Sequence, residues 1–512
     1  QAKVRAIRTP SRRPTNLRRT ARHVSMELLE TRCLLASVWD GGGATDDWND
    51  PTNWDDDQLP DTADDVTIGA GFAGITVTST NDVTINSLTT EASLAISGGT
   101  FTILAHSTIH NAVSVSATGT LTLDTLTLGG SGTLTNSATV NLLGSTISTA
   151  LSNQGLLLVK ADGGASAIDG ALTTNGNSTI RVRADGSVGA ATLTVASGFT
   201  NNGAIDLTAI NGSGETATLN VTSGTLTNAA TGTIQSLAGT GGARNLNAQL
   251  NNQGVITVAQ GLTINKASAD HTNSGTINVS GGDLLVTQSG TTPTFTNTST
   301  GTFTIASGRT LNLSGGSFTN FSGGTLTDGI YNVAGTLKFD GAAITTNAAT
   351  IVLDGVSSQI VNESNTNALS GFNNNAAAGN FTIKNGRDFA TPSTFTNAGN
   401  LIVETPSVFS MSSGTFHFNG GSITGIAQLN SSTLHIAAAA GAGIFSLRGS
   451  STLGSTSNVL AGQTLRVQGD NINGSATLTE ADGFTNSGTI TLETVTGSTS
   501  QSNLVVNSGV LV

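Results

Sequence analysis

Phe199-Thr200-Asn201-Asn202-Gly203-Ala204-Ile205-Asp206-Leu207, in pattern form F-T-N-x-G-x-I-x-L, is the stretch that decides the fold. Close variants begin at Leu151, Leu250, His271, Phe395 and Phe484, and looser ones at Leu134, Leu226, Phe295 and Phe318. From Leu226 to Phe318 the phrase asparagine falls at 228, 252, 273, 297 and 320, in steps of 24, 21, 24 and 23 residues. A period in this range is the mark of stacked structural repeats.

Within the phrase, Phe199, Asn201, Gly203, Ile205 and Leu207 alternate with Thr200, Asn202, Ala204 and Asp206. That period of two describes a strand with one buried face. The Asn-x-Gly inside it predicts a turn, because both residues tolerate positive φ. A second strand signal follows, as in Ala217–Val221, Leu262–Ile264, Leu284–Val286 and Leu311–Leu313, and it ends in Ser or Gly. One period thus holds two or three short strands.

Such a unit makes one coil of a parallel β-helix, all-β, with 21–27 residues per coil. Equivalent residues stack from coil to coil at the strand spacing of roughly 4.8 Å. The phrase asparagines are then expected to form a hydrogen-bonded ladder, with the phrase Phe or Leu stacked inside. Gaps fit the same period: Asn153 to Asn201 is 48 residues, or two coils; Asn320 to Asn397 is 77, or three; Asn397 to Asn486 is 89, or four. Low-complexity disorder does not explain so regular an alternation, and a β-sandwich array needs much longer repeats.

The 512 residues exceed what one compact core holds, yet 4% are aromatic and 10% charged, which suits a narrow solenoid filled with small side chains. No run of 18 apolar residues is long enough for a membrane span. Charge is segregated. Residues 1–36 carry nine of the 20 basic residues and two of the 32 acids, leaving 11 bases against 30 acids in the rest. A body of that sign repels nucleic acid, and the basic arm lacks the interleaved aromatics of a nucleic-acid reader. The single cysteine, Cys33, lies in this leader, so the body has no disulfide framework and no thiol nucleophile.

Met26–Ser37 follows the arginine-rich arm and contains Leu28-Leu29-Glu30-Thr31-Arg32-Cys33-Leu34-Leu35-Ala36. Its apolar stretch is short and interrupted by charge, unlike an ordinary signal peptide; read physically it is disordered or a short helix. LLETRCLLA closely resembles the L-E-x-R-x-L-L-A element near the start of many large exported proteins of planctomycetes. The resemblance implies a targeting or processing segment absent from the mature protein and says nothing about activity. Next, Val38–Ile68 holds all three tryptophans, Trp39, Trp48 and Trp54, and ten aspartates between Asp40 and Asp65. Its W-x-G-G-G…W…NW…P…D-x-V-x-I pattern is similar to the opening of autotransporter-like and planctomycete β-helix proteins, where it introduces the first coil. The indoles are expected to cap the open apolar end of the solenoid. Calcium binding is the rival reading of the carboxylates, although neither the EF-hand spacing nor a G-G-x-G-x-D repeat is present.

The search for catalytic groups selects no site residue and no cofactor. Asp185 and Asp206 lie 21 apart, but Asp206 is on the outward phase of its phrase; Asp270 and Asp283 fall within one period and should face different sides. Glycoside cleavage needs two carboxylates facing each other across a cleft. His106 and His110 have metal-like spacing only on a helix; on a strand they sit about 13 Å apart. His271 stands at a phrase Phe position and is expected to fill the stack. Gly129–Gly132 and Gly239–Gly242 are turns rather than phosphate loops, since no helix follows them. Thr120-x-Thr122 and Thr302-x-Thr304 form outward T-x-T surfaces. Their irregular spacing argues against ice binding; a Thr/Asn face suits hydrogen bonding to polysaccharide, or simply a soluble strand surface.

The expectation is therefore a leader over 1–36, a Trp/Asp-rich cap and first strand over 37–68, and a β-helix over 69–512 that continues beyond 512. Its expected role is an exported, extracellular or cell-surface structural or adhesive rod, about 90 Å long at the strand spacing, and not an enzyme. The expected partner is a surface polysaccharide or another cell-surface protein, with no nucleic acid and no membrane span. The alternatives are a carbohydrate-active β-helix enzyme (polysaccharide lyase or hydrolase) and a calcium-stabilised matrix protein.

Overall fold

The computed structural model describes residues 36–512 apart from Ser213, Thr240, Pro392 and Thr496. The basic leader, with Cys33 and the LLETRCLLA element up to Leu35, lies outside the described residues.

The period-2 segments are strands, three to a coil. In the first coil they are Asp65–Ile68, Thr76–Ser79 and Val83–Ile85; in the next, Ser87–Thr90, Ser93–Ile96 and Thr100–Ile103. Each pairs in parallel with its counterpart one coil on: Val66 with Leu88, Val77 with Leu94, Val83 with Phe101. Three faces result, named first, second and third in that order. The chain is an all-β parallel solenoid of about 20 turns, which spans about 95 Å at the strand spacing. Pro51–Asn53 and Ala70–Phe72 are single 3-10 turns, and Phe321–Ser322 pairs antiparallel with Thr325–Val333.

Alternation sorts the side chains. On the third face Ile103, Leu123, Leu142, Val159, Val182 and Leu207 stand in register and are buried. Each such side chain contributes roughly 1.5–3 kcal/mol of transfer free energy. The positions between them face outward: Thr100 and Thr102 lie beside Thr120 and Thr122.

The phrase bridges two faces. Its F-T-N closes a second-face strand, its glycine sits at the corner, and its I-x-L opens the third face. The asparagines are fully buried and linked by their amides. Asn228 Nδ2 donates to Asn252 Oδ1 at 2.8 Å, Asn252 to Asn273 at 2.7 Å and Asn273 to Asn297 at 2.7 Å. The long gaps also resolve. Thr174 takes the asparagine position between Asn153 and Asn201, and Asn347 and Asn375 fill the interval to Asn397.

Two expectations need correction. The phrase glycines Gly203, Gly254, Gly275 and Gly399 do not have positive φ. A Cβ there would instead collide with a carbonyl of the preceding coil: Ser178, Gly232, Gly254 and Gly379 respectively. Glycine is required by coil stacking rather than by turn type. Second, Asn486 is not the fourth rung after Asn397. Phe418 and then Ile436 occupy the asparagine position, so no amide ladder pins the register there. The Phe484 phrase has slid by one face. Its Thr489–Thr494 strand pairs with Gln463–Gly469, on the ladder that runs back to Phe409–Ser412, and Asn486 stands half-buried opposite Val459.

At the other end Ala36–Val38 pairs with Asp65–Ile68, and Trp48 N donates to Thr78 O at 2.9 Å, which builds a partial coil before the first. Trp39, Trp48 and Trp54 are each 1% exposed. Trp54 packs edge-on against both other indoles at 5.0 and 4.8 Å, and Trp48 packs on Phe101. The cap covers the apolar interior as expected.

Candidate functional site

The aspartates of the cap serve their own turns. Asp40, Asp47, Asp50, Asp56 and Asp61 each accept a backbone N–H two residues on. Asp65 accepts from Asn86 and Ser87 of the next coil at 2.7 and 2.6 Å. Among the described residues no group of three or more His, Cys, Asp or Glu side chains is placed to hold a metal ion.

The paired carboxylates considered from sequence do not converge. Asp206 stands opposite Arg181 and binds it at 2.7 and 3.1 Å; although outward in phase, it is covered and only 4% exposed. Asp185 stands opposite Ile210 and closes its own loop, accepting from Ser187 Oγ, Ser187 N and Asn211 Nδ2. Those donors, the Ser187 hydroxyl first, hold its carboxyl below the usual range. Asp270 is on the second face and Asp283 borders the first, as expected. His106 Nδ1 accepts from Thr127 N at 2.9 Å, and His110 Nδ1 lies 3.3 Å from Ser131 Oγ. His271 does fill the stack: it is buried, it meets the Phe295 ring at 6.0 Å, and its Nδ1 accepts from Leu250 N at 3.2 Å.

Gly239, Gly241 and Gly242 border a corner with a structural task. Arg244 occupies an inward position between Ala217 and Leu262 and is completely buried. Its guanidinium donates to the carbonyls of Gly241 at 3.0 Å, Leu237 at 3.4 Å and Gly242, while burial pulls its pKa down.

Asp185 borders a small hollow of about 20 Å³, and Asp283 reaches a much larger concave surface. It lines a groove of about 520 Å³ on the first face, across the strands Leu284–Thr287, Thr310–Ser314, Thr336–Phe339 and Gln359–Val361. Stacking sets its two outward columns. Leu285, Asn312 and Lys338 are consecutive partners in one, and Thr310, Thr336 and Gln359 in the other. A loop over residues 362–366 supplies a wall. Asn362 Oδ1 folds it by accepting Ser364 N at 3.0 Å and Thr366 N at 2.9 Å, and Asn365 reaches back at φ 59° to accept from Lys338 Nζ at 3.0 Å. Asp283 Oδ1 accepts from Thr310 N at 2.9 Å, and Gln359 Nε2 donates to Thr336 Oγ1 at 3.1 Å. Asn312 Oδ1 is buried without a hydrogen-bond partner.

Sequence reasoning missed Asn312, Lys338 and Asn365, because single polar residues at outward positions look like any other strand surface. The available signal was spacing: Val361 to Asn374 separates two strands by far more than the usual corner. A second cleft of about 400 Å³ lies on the third face of the same coils, beside Asn332, Asp354 and Lys384, where Lys384 Nζ pairs with Asp354 at 3.4 Å.

No protein-family model matches the chain, and neither the curated proteins nor the solved structures include a match. Among the described residues no helix is long and apolar enough to cross a membrane.

Proposed function

We propose that this chain is an exported structural or adhesive rod of the cell surface, whose long polar faces engage surface polysaccharide or another surface protein. The observation that carries the reading is the division of labour along about 20 turns. Apolar residues and buried asparagines fill the interior, and Thr, Asn and Ser populate the outward columns, as in Thr302, Thr304, Asn278 and Asn332. Nearest-neighbour stacking makes such a solenoid stiff and extensible without a large globular core. The resemblance of LLETRCLLA to the leader of exported proteins and the absence of cysteine after Cys33 support export.

The test is fractionation of native cells with an antibody against residues 69–512, joined to N-terminal sequencing of the recovered protein. Surface material beginning near Ala36 to Trp39 is the expected result. Cytosolic protein that keeps the arginine-rich arm would overturn the reading.

A further inference from the structure

We infer that the first-face groove between Asp283 and Asn365 is a binding site for an uncharged, hydroxyl-rich saccharide segment, an inference that rests on the adhesive reading and gives it a location. The groove offers one carboxylate, one ammonium, three amide side chains (Asn312, Gln359 and Asn365), two threonines, the buried Leu284 and the half-buried Leu285. Its bonds leave capacity unused. Asp283 Oδ2, the Gln359 carbonyl and two hydrogens of Lys338 Nζ lie outside the bonds just described, and Asn312 Oδ1 has no donor at all. Rotation of the Asn312 side chain toward a ligand hydroxyl would satisfy it. Alternating donors and acceptors around a small aliphatic patch match the alternating hydroxyls and C–H faces of a sugar ring, and the volume is within the range of small-molecule sites.

Competing ligand classes fit less well. A peptide that binds by strand addition needs an open sheet edge. Here the inner strands are paired on both sides, Thr310–Ser314 between Leu284–Thr287 and Thr336–Phe339. A polyanion would meet one lysine on a body with 30 acids and 11 bases beyond its leader. An apolar ligand would find only Leu284 and Leu285. Glycoside cleavage needs a second carboxylate. Asp283 is the one carboxylate among the groove's lining residues; Glu363 and Asp340 do not line it and bind Gly341 N and Gly315 N, each at 2.7 Å.

The experiment titrates the full chain with cellotetraose, maltotetraose and mannotetraose, with a tetragalacturonate as the charged comparator, by isothermal calorimetry and ligand-observed NMR. Saturable binding of at least one neutral tetrasaccharide at about 1 mM or tighter is expected, weakened tenfold or more in Asn312→Leu and in Lys338→Met. Thr257→Ala on the third face should bind as the parent does. Circular dichroism of each variant separates lost binding from lost fold. No saturable neutral binding, stronger binding of the uronate, or equal binding by both groove variants would overturn the assignment. Surface-located protein that binds none of the sugars removes the groove but leaves the rod; protein absent from the surface with binding intact does the reverse.

Discussion

Replacing Asn273 with leucine tests the ladder that sets the coil register. In the parent, Asn273 Oδ1 accepts from Asn252 Nδ2 at 2.7 Å, and Asn273 Nδ2 donates to Asn297 Oδ1 at 2.7 Å and to Gly275 O at 3.3 Å. All three asparagines have no exposed surface. Leucine removes the two inter-coil bonds, at roughly 1 kcal/mol each, and strands Asn297 Oδ1 as a buried acceptor, at about 1–3 kcal/mol more. Asn252 Nδ2 is less affected, since it also reaches Gly254 O and Thr276 O. Leucine's apolar burial returns part of the loss, so the net cost should be about 2–4 kcal/mol. The outward neighbour Thr272, changed to serine, should cost within about 0.5 kcal/mol. Because a solenoid's stability resides in nearest-neighbour interfaces, the opening should be local. Amide hydrogen exchange should speed up over the coils that carry Asn252, Asn273 and Asn297 and stay at parent rates around Asn375 and Asn397. Equal protection loss in the two variants, or loss spread along the whole rod, would refute the reasoning.

Two further perturbations follow from the same geometry. Burial depresses the His271 pKa to about 4 from the usual 6.5, with Asp270 opposing more weakly. The neutral ring is the one that fits, so its stability contribution is complete above pH 6.5 and declines as the pH falls toward 4. The loss is about 3 kcal/mol at 1.36 kcal/mol per unit. Protonation at Nδ1 would also set a donor against Leu250 N–H. His271→Phe, which restores the phrase residue, should abolish that part of the pH dependence in denaturant midpoints measured from pH 7 to 4; an unchanged slope would mean the ring titrates in contact with water. Trp54→Ala removes the indole that contacts both other tryptophans and donates to Trp48 O at 3.0 Å. It should cost about 3–5 kcal/mol and raise exchange over the first coils only, whereas uniform destabilisation to the far end would contradict independent stacking.

The architecture was legible because the solenoid repeats one physical problem every coil. Alternation identified the strands, the spacing of Asn228, Asn252, Asn273 and Asn297 gave the coil length, and clustered tryptophans marked the cap. What misled was local. Gly203 looks like a turn glycine in one dimension, and only stacking on Ser178 shows that its lack of a Cβ matters because the coils press together. Asn486 carries the right phrase, but Phe418 and Ile436 interrupt the amide ladder before it, so sequence distance alone could not fix its face. The groove was nearly invisible, because Asn312, Lys338 and Asn365 meet only after coil register brings two outward positions together and a loop folds back over them.

The same contrast says where a solenoid can carry specificity. Interior positions are constrained by their neighbours above and below, so Ile205 or Asn252 cannot vary without cost to adjacent coils. Outward columns are free, but a flat face of Thr and Asn offers every ligand similar, shallow contacts. Selectivity needs concavity, and in this fold concavity arises where a corner lengthens. The insertion paired as Phe321–Ser322 with Thr325–Val333 and the wide corner after Val361, which includes the loop over residues 362–366, fall within a few coils. Both the first-face groove and the third-face cleft lie on that stretch. Each enlarged corner is held by its own side-chain bonds, Asn362 to Ser364 and Thr366 in one, and Asn320 Nδ2 to Thr327 O at 2.9 Å in the other. Loops tied down in this way present fixed walls rather than fluctuating ones, which lowers the ordering cost of binding. Recognition by this chain is therefore expected at residues 283–388, with the regular coils on either side acting as the shaft that holds it in place.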